Sequence, residues 1–269
     1  MNQDHPGVYL PTDDPNTYET TPLANAGWYE EGQHGGALTA LIIGHVEEVP
    51  TLTPMEIARI TVEMFRVVPL VPLTISTEII REGKRIQTIK VDITDPSGAL
   101  LSVAGVQRLR TADRPLPIEA ETQPSSFAGP DDCPIWDATK WAGTSGKTMF
   151  HRGAVEVREI HGGFGEAGPG AAWIRLTKPV IAGTKNSPAQ IAAAAGDFCN
   201  GLSTALANDW LFMNSDLTVH IGRYPKGEWV ALEARSNYSE LGRGVAAGSL
   251  WDEEGWVGRS AQTLFLDHA

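Results

Sequence analysis

A single carboxylate lies in the middle of a long stretch of small and apolar residues. Between Lys185 and Asp209 the chain carries one charged side chain, Asp197, within the sequence SPAQIAAAAGDFCNGLSTAL. Burying an isolated carboxylate is unfavourable by several kcal/mol or shifts its pKa strongly, so such a residue needs a partner or has a chemical role. A positioned carboxylate can take a proton as a general base. Asp197 is therefore the first candidate catalytic residue.

The residues around this carboxylate predict a buried helix from Ser187 to Leu206. Ser187 followed by Pro188 is typical of a helix start, because serine caps the first turn and proline is tolerated in it. Apolar residues then recur at helical spacing, and the opposite side carries small residues instead of charges. A helix that is small or apolar all round is usually buried on all sides.

The same order of elements occurs twice along the chain. The first half has a helix followed by four strands, predicted at Ala37–Val49, Ile57–Phe65, Leu73–Arg81, Arg85–Thr94 and Leu100–Arg110. The second half has two strands before the Asp197 helix and four after it, predicted at Gly153–Ile160, Ala171–Val180, Asp216–Arg223, Glu228–Asn237, Gly244–Trp251 and Gly258–Leu266. The halves also match residue by residue at a nearly constant offset, which places Gln107 opposite Gln262.

These repeats predict an α+β protein of two units, residues 1–110 and 149–269. The linker between them, residues 111–148, is rich in Pro, Asp, Ser and Gly, with a short helix expected around Trp136 to Trp141. Residues 1 to about 17 are expected to form an arm or loop. Two such units side by side would join their edge strands into one long antiparallel sheet.

Composition and charge exclude several classes of protein. The 269 residues carry a net charge of −12, which argues against a general nucleic-acid surface. The two cysteines form no disulfide framework, and no Cys/His spacing suggests a metal site. No apolar run reaches the roughly 18 residues of a membrane span, and the N-terminus is unlike a signal peptide. We therefore expect a cytoplasmic protein without membrane partners.

An ordered set of motifs resembles the acyl-CoA thioesterase II family. They are HGG at 34–36, GDFCNGL at 196–202, NSDLTVHIGRYPKGEWVALEAR at 214–235 and GRSAQTLFL at 258–266. The resemblance covers nearly the whole chain except the arm and the linker. It implies a double hot-dog fold, with two central helices wrapped by one long antiparallel sheet. It also implies hydrolysis of acyl-CoA to free acid and CoA without a cofactor or metal, by a chain that forms a homodimer.

The resemblance further implies a catalytic set in which an acid, a hydroxyl residue and a glutamine hold a water. On this chain the acid falls on Asp197 and the glutamine on Gln262, and the hydroxyl position is occupied by Asn214, which departs from the family's Ser or Thr. Ser215 beside it could substitute. Burial is expected to raise the pKa of Asp197, while hydrogen bonds from the two amides keep it usably ionised.

Further residues are candidates for binding the substrate, each with a structural alternative. The N–H groups of Gly35 and Gly36, where the first helix begins, could stabilise an oxyanion, or these glycines could simply allow close packing. His34 could contact substrate or be an ordinary loop histidine. Arg243 and Arg259 could bind the CoA phosphates or be isolated surface arginines.

The sequence is also compatible with two other functions, acyl-CoA binding without catalysis and hydration of enoyl-CoA. Asn214 at the hydroxyl position is compatible with a non-catalytic protein that binds acyl-CoA. A hydratase of the same fold would act on enoyl-CoA, but the sequence suggests no histidine partner for Asp197, which argues against this alternative.

Overall fold

Alternation of buried and exposed side chains defines most strands of the protein, as in the strands that contain Val91 and Gln262. The computed structural model describes residues 5–27, 32–113, 117, 124–137, 148–206 and 210–268. The strands are β1 Tyr9–Pro11, β2 Thr17–Thr20, β3 Met55–Met64, β4 Leu73–Arg81, β5 Ile86–Thr94, β6 Leu100–Arg110, β7 Val155–His161, β8 Gly170–Leu176, β9 Trp210–Asn214, β10 Asp216–Ile221, β11 Trp229–Ser239, β12 Arg243–Asp252 and β13 Gly255–His268. The helices are α1 Gly35–Glu47, α2 Phe150–Gly153, α3 Pro188–Gly196 and α4 Cys199–Ser203.

All these strands form one antiparallel sheet, as the repeat predicts. Its order is β1-β2-β4-β5-β6-β3-β10-β13-β12-β11-β8-β7, with β9 also paired to β13. The two halves meet where β3 pairs with β10. At the centre of this seam Thr61 lies opposite Thr218, and their hydroxyls are 3.1 Å apart. The large antiparallel sheet agrees with the expected architecture.

The helices α1 and α3 are buried along almost their whole length and pack against each other. Both are apolar all round, so neither has a face suited to solvent. Their contact is close because a Cβ at Gly36 would lie 2.8 Å from the carbonyl oxygen of Ala194. The beginning of α1 therefore lies against the end of α3.

The predicted continuous helix from Ser187 to Leu206 is wrong, because it is interrupted at Asp197. Side chains of β13 cause the break. The Ser260 hydroxyl donates to the carbonyl of Gly196 at 2.7 Å, and the Gln262 amide oxygen accepts from the N–H of Asn200 at 3.2 Å. A continuous helix would join that carbonyl and that N–H to each other, so the inserted side chains break its hydrogen-bond ladder.

The expectations for the N-terminal arm and for the linker helix also need correction. The segment expected as an arm contains β1, and its Val8 and Tyr9 N–H groups donate to the carbonyls of Pro179 and Val180 in the second half. The division at residues 110 and 148 stays a prediction. Trp136 is not helical, and most of the helix expected around it lies outside the described residues. No helix in the described part of the chain is long and apolar enough to cross a membrane.

Candidate active site

Asp197 is the C-cap of α3, and its side chain points at the N-terminus of α1. The carboxylate approaches the backbone closely, because a Cβ at Gly35 would lie 2.9 Å from both of its oxygens. The next residue, Gly36, donates its N–H to Oδ2 at 2.6 Å. The glycines of the HGG motif therefore have a specific use: they admit a carboxylate to the positive end of a helix.

Four donors surround the Asp197 carboxylate. Oδ1 accepts from Gln262 Nε2 at 2.7 Å and from Asn214 Nδ2 at 3.0 Å. Oδ2 accepts from Gly36 N at 2.6 Å and lies 2.9 Å from His34 Nδ1. A carboxylate offers about four lone-pair sites, so protein groups occupy all of them. The expected grouping of Asp197, Asn214 and Gln262 is thus present, joined by the HGG segment.

These donors reverse the expected direction of the Asp197 pKa. Burial acts to raise the pKa of this carboxyl, but the charge and hydrogen bond of His34 and the hydrogen bonds of Gly36 and Asn214 lower it more. The pKa of Asp197 is therefore below its usual range, and the expectation of a raised value is wrong. The group stays ionised at neutral pH although its side chain is only 5% exposed.

His34 is the histidine partner that the sequence reading lacked. Its Nδ1 lies 2.9 Å from Asp197 Oδ2 and 3.1 Å from the Gly36 nitrogen. The Gly36 N–H is within hydrogen-bond distance of both His34 Nδ1 and Asp197 Oδ2, and the bond to Oδ2 is the shorter of the two. We therefore assign the Gly36 hydrogen to Oδ2 and the imidazole proton to Nδ1, facing the carboxylate. The ring packs against Phe150 and Phe198, with centroids 5.0 and 4.9 Å away. The side chain is 13% exposed.

A break between β9 and β10 places Asn214 and Ser215 differently. Asn214 lies opposite Leu264, on the inner face of the sheet, and reaches the carboxylate. Ser215 is exposed and lines the cavity, but its hydroxyl bonds to none of the described residues. The side chain available at the family's hydroxyl position is therefore the amide of Asn214.

A cavity of about 260 Å³ opens beside the carboxylate. Its polar lining includes His34, Gly35, Asp197 and Asn214. The remaining wall is mainly apolar and is formed by Leu38, Met64, Val67, Val68, Phe164, Phe198, Phe212, Met213 and Phe265. An apolar cavity with a few converging polar groups suits an acyl chain with a reactive carbonyl at one end.

Of the two N–H groups expected to bind an oxyanion, one remains available. The Gly36 N–H is directed at Asp197, so that part of the expectation is wrong. The Gly35 N–H makes no hydrogen bond to any described residue, and Gly35 lines the cavity. As the first residue of α1, it presents an N–H that the helix itself cannot satisfy.

The arginines expected to bind phosphate lie on the exposed face of the sheet. Arg243 is the register partner of Phe265, which lines the cavity, so Arg243 lies close to the opening. Arg259 is on the same face of β13, six residues earlier, roughly 20 Å away at the usual strand rise. Arg66, which the sequence reading missed, is exposed and itself lines the cavity.

A second histidine, His151, also lines the cavity and was missed. Burial, the charge of His34 and the charge of Arg152 lower the pKa of His151 to about 3. It is therefore a neutral imidazole at physiological pH. The sequence around His151 does not indicate that this residue lies at the site, because only the tertiary packing of α2 brings it there.

Among the described residues, the helix of the first half carries no carboxylate equivalent to Asp197. Counted from the first residue of each helix, Asp197 of α3 corresponds to Gly44 of α1. The buried Gln190 side chain packs against Gly44 and donates to the carbonyl of Ala40 at 3.1 Å. The space beside Gly44 is thus filled. Within the described residues no group of His, Cys, Asp and Glu could hold a metal ion.

Comparison with protein families identifies both halves of the chain. A model of the acyl-CoA thioesterase C-terminal domain matches residues 130–266, and one of the acyl-CoA thioesterase N-terminal domain matches residues 25–108. No curated protein matches the chain in sequence.

Solved structures share the fold at low sequence identity. A hot-dog protein of unknown function from Alicyclobacillus acidocaldarius is 15% identical, with a TM-score of 0.75 over 96% of each chain. The acyl-CoA thioesterase II TesB2 from Mycobacterium marinum is 14% identical, with a TM-score of 0.64 over 96% of this chain and 95% of that one. The dehydratase domain of PpsC from Mycobacterium tuberculosis, in complex with C12:1-CoA, is 15% identical, with a TM-score of 0.53 over 98% and 100%.

Proposed function

The chain belongs to the acyl-CoA thioesterase family, and we propose that it hydrolyses acyl-CoA thioesters to a free acid and CoA. The observation that carries this proposal is the ionised Asp197 carboxylate, held by groups from both halves at the wall of an apolar cavity. Hydrolysis of a thioester needs an activated water and a donor for the developing oxyanion. The site contains groups suited to both tasks.

In the proposed reaction the carboxylate of Asp197 promotes the removal of a proton from water. Gln262 and Asn214 hold this carboxylate in place. The amide of Gln262 also bonds the backbone carbonyl of Asp197 at 2.9 Å, so the carboxylate cannot rotate away without losing several bonds. Such fixed positioning favours catalysis, because little reorganisation is needed when the barrier is crossed.

The thioester carbonyl would lie with its oxygen on the Gly35 N–H. This donor is at the N-terminus of α1, where the helix dipole favours negative charge. Developing charge on the oxygen would thus meet a preorganised donor inside an apolar cavity, where electrostatic stabilisation is stronger than in water.

The CoA moiety would leave the cavity past Arg66 and Arg243. Both lie at or beside the opening, and a guanidinium can bind phosphate through paired hydrogen bonds. Arg259 remains a weaker candidate because of its distance along β13. We also propose that two copies form a dimer, which sedimentation of the purified protein would test.

Thiol release from a panel of acyl-CoA esters of increasing chain length tests the function. We expect hydrolysis by the wild-type protein and a loss of at least about 100-fold in kcat for Asp197→Asn, whose fold is checked by thermal unfolding. Thr263→Ala, which changes an exposed side chain on the outer face of β13, serves as the matched control. Tight binding of acyl-CoA without thiol release would instead favour the non-catalytic binding protein.

A second candidate function is the addition of water to 2-enoyl-CoA. The observation that favours it is the 2.9 Å contact between His34 and Asp197, which reverses the earlier argument against a hydratase. An imidazole paired with a carboxylate could transfer the protons of that reaction. Product analysis with a 2-enoyl-CoA distinguishes the two: hydrolysis yields free thiol, whereas hydration yields 3-hydroxyacyl-CoA with the thioester intact.

A further inference from the structure

We propose that the imidazole of His34, and not the carboxylate of Asp197, takes the proton from the attacking water. This inference rests on the proposed thioester hydrolysis and specifies which group acts as its base. Asp197 then activates the water through His34 and has a positioning role.

Described protein groups occupy the acceptor sites of the Asp197 carboxylate. Gln262, Asn214 and Gly36 each donate an N–H to one of its two oxygens, at 2.6–3.0 Å. The N–H assigned to His34 Nδ1 faces Oδ2 at 2.9 Å. A water could reach the carboxylate only by displacing one of these donors. Asp197 is also a poor proton acceptor, because the hydrogen bonds of Gly36 and Asn214 stabilise its ionised form.

The imidazole of His34 is oriented with one nitrogen toward Asp197. With Nδ1–H directed at Asp197, the acceptor nitrogen of the neutral ring is Nε2, on the opposite edge. Nε2 makes no hydrogen bond to any described residue, and His34 lines the cavity. A buried carboxylate that orients one imidazole nitrogen while the other faces the substrate is the arrangement by which triad hydrolases activate their nucleophile.

Two aromatic side chains hold the imidazole ring of His34 in place. Phe150 and Phe198 pack against it, with centroids 5.0 and 4.9 Å away. Asp197 faces it from the end of α3, and His151 faces it from α2 with ring centroids 6.5 Å apart. Arg66 lines the same cavity from the segment after β3. The low pKa of His151 leaves that ring neutral, so Asp197 is the charged group that contacts His34 among the residues that the structure describes.

The reaction then proceeds in two proton transfers. Nε2 removes a proton from water while the water oxygen bonds to the thioester carbon. The carbonyl oxygen becomes negatively charged and accepts a hydrogen bond from the Gly35 N–H. The tetrahedral intermediate collapses by breaking the carbon–sulfur bond, and the imidazolium returns its proton to the departing thiolate. Water and acyl-CoA are consumed, and the acid and the CoA thiol are produced, with His34 restored to its neutral form.

The pH dependence of the wild-type enzyme provides the first test. Thiol release at any pH establishes the proposed function independently; its absence refutes hydrolysis itself. A histidine base acts only in its neutral form, so the proposal predicts that kcat falls as the pH is lowered from about 8 to 5. A carboxylate base of lowered pKa would stay ionised throughout, so a flat profile over this range overturns the proposal.

Variants of His34 provide the second test. His34→Gln should lower kcat by about 100- to 10,000-fold with little change in KM, and the residual rate should lack the acid limb. Added imidazole should raise the rate of His34→Ala by entering the space left by the ring. His151→Gln, which removes the neighbouring imidazole, should keep the acid limb. A His34→Gln enzyme with wild-type kcat, or with its acid limb intact, would contradict the assignment.

Discussion

The side-chain nitrogen of Gln262 donates to both the backbone carbonyl and the carboxylate of Asp197, at 2.9 and 2.7 Å. The oxygen of the same amide accepts the N–H of Asn200, the residue at which α3 would otherwise have continued. One side chain of β13 therefore ends a helix and orients the carboxylate that lies at its end. The position of Asp197 depends on the last strand as much as on its own helix.

Removal of this amide should affect stability and activity together. We expect Gln262→Leu to lower the free energy of unfolding by about 3 kcal/mol, because buried partners of three hydrogen bonds are left unsatisfied. Its kcat should fall as well. Urea denaturation and thiol release measure the two effects. Thr263→Ala, one residue further along β13, should change neither, and a stable, fully active Gln262→Leu would refute this account.

Gly35 should not tolerate even one added carbon. A Cβ there would lie 2.9 Å from both carboxylate oxygens, so Gly35→Ala should displace Asp197 and lower kcat by about 100-fold. Gly105→Ala is the matched control, since a Cβ at that position meets no atom within 4 Å. Equal activity of the two alanine variants in the thiol-release assay would show that the close approach has no functional importance.

The arginines beside the opening should contribute to binding and not to chemistry. Arg66→Ala and Arg243→Ala should each raise KM for acyl-CoA by about two- to fivefold without changing kcat, as expected for exposed charge pairs. The effect should shrink at high salt. Arg259→Ala, farther along the same face, should have a smaller effect. A larger KM change for Arg259→Ala than for the other two would place the phosphates elsewhere.

His151 should make the protein sensitive to acid. The pKa of His151 is lowered from 6.5 to about 3 in the folded state, so the unfolded state binds the proton first as the pH falls. Above about pH 6.5 this histidine does not lower the free energy of unfolding. Between pH 6.5 and 3 it lowers the free energy of unfolding by about 1.4 kcal/mol per pH unit. Between pH 7 and 4, wild type should lose about 3 kcal/mol more than His151→Gln. The exposed His161→Gln should follow wild type; parallel curves for wild type and His151→Gln would refute the prediction.

Much of the fold follows from local patterns. The two-residue alternation and the hairpin turns predict β3–β6 and β10–β13 to within a few residues, because most of these strands bury one face. Internal repetition predicts the single joined sheet. The interrupted helix was not predictable from helical spacing, since its cause lies in side chains of β13 that are distant in sequence. Ser260 and Gln262, two polar residues on an inner face, were the available signal.

The site was only partly predictable for the same reason. Asp197 could be found as a lone charge in an apolar stretch, and family resemblance indicated Asn214 and Gln262. The direction of the Asp197 pKa could not be found, because it depends on donors from α1 that only the folded chain brings near. His34 was recognised as a candidate for binding, but its contact with Asp197 joins residues from opposite halves and leaves no local pattern.

The Gln190 side chain that packs against Gly44 has a consequence for stoichiometry. Two copies of one ancestral unit would present two symmetry-related catalytic centres, but in this chain the region equivalent to Asp197 is filled. Each polypeptide should therefore bind one acyl-CoA, and a titration with a non-hydrolysable analogue should end at one equivalent. In the proposed mechanism the first half would instead supply the cavity wall, the oxyanion donor and the imidazole that act with the carboxylate of the second half.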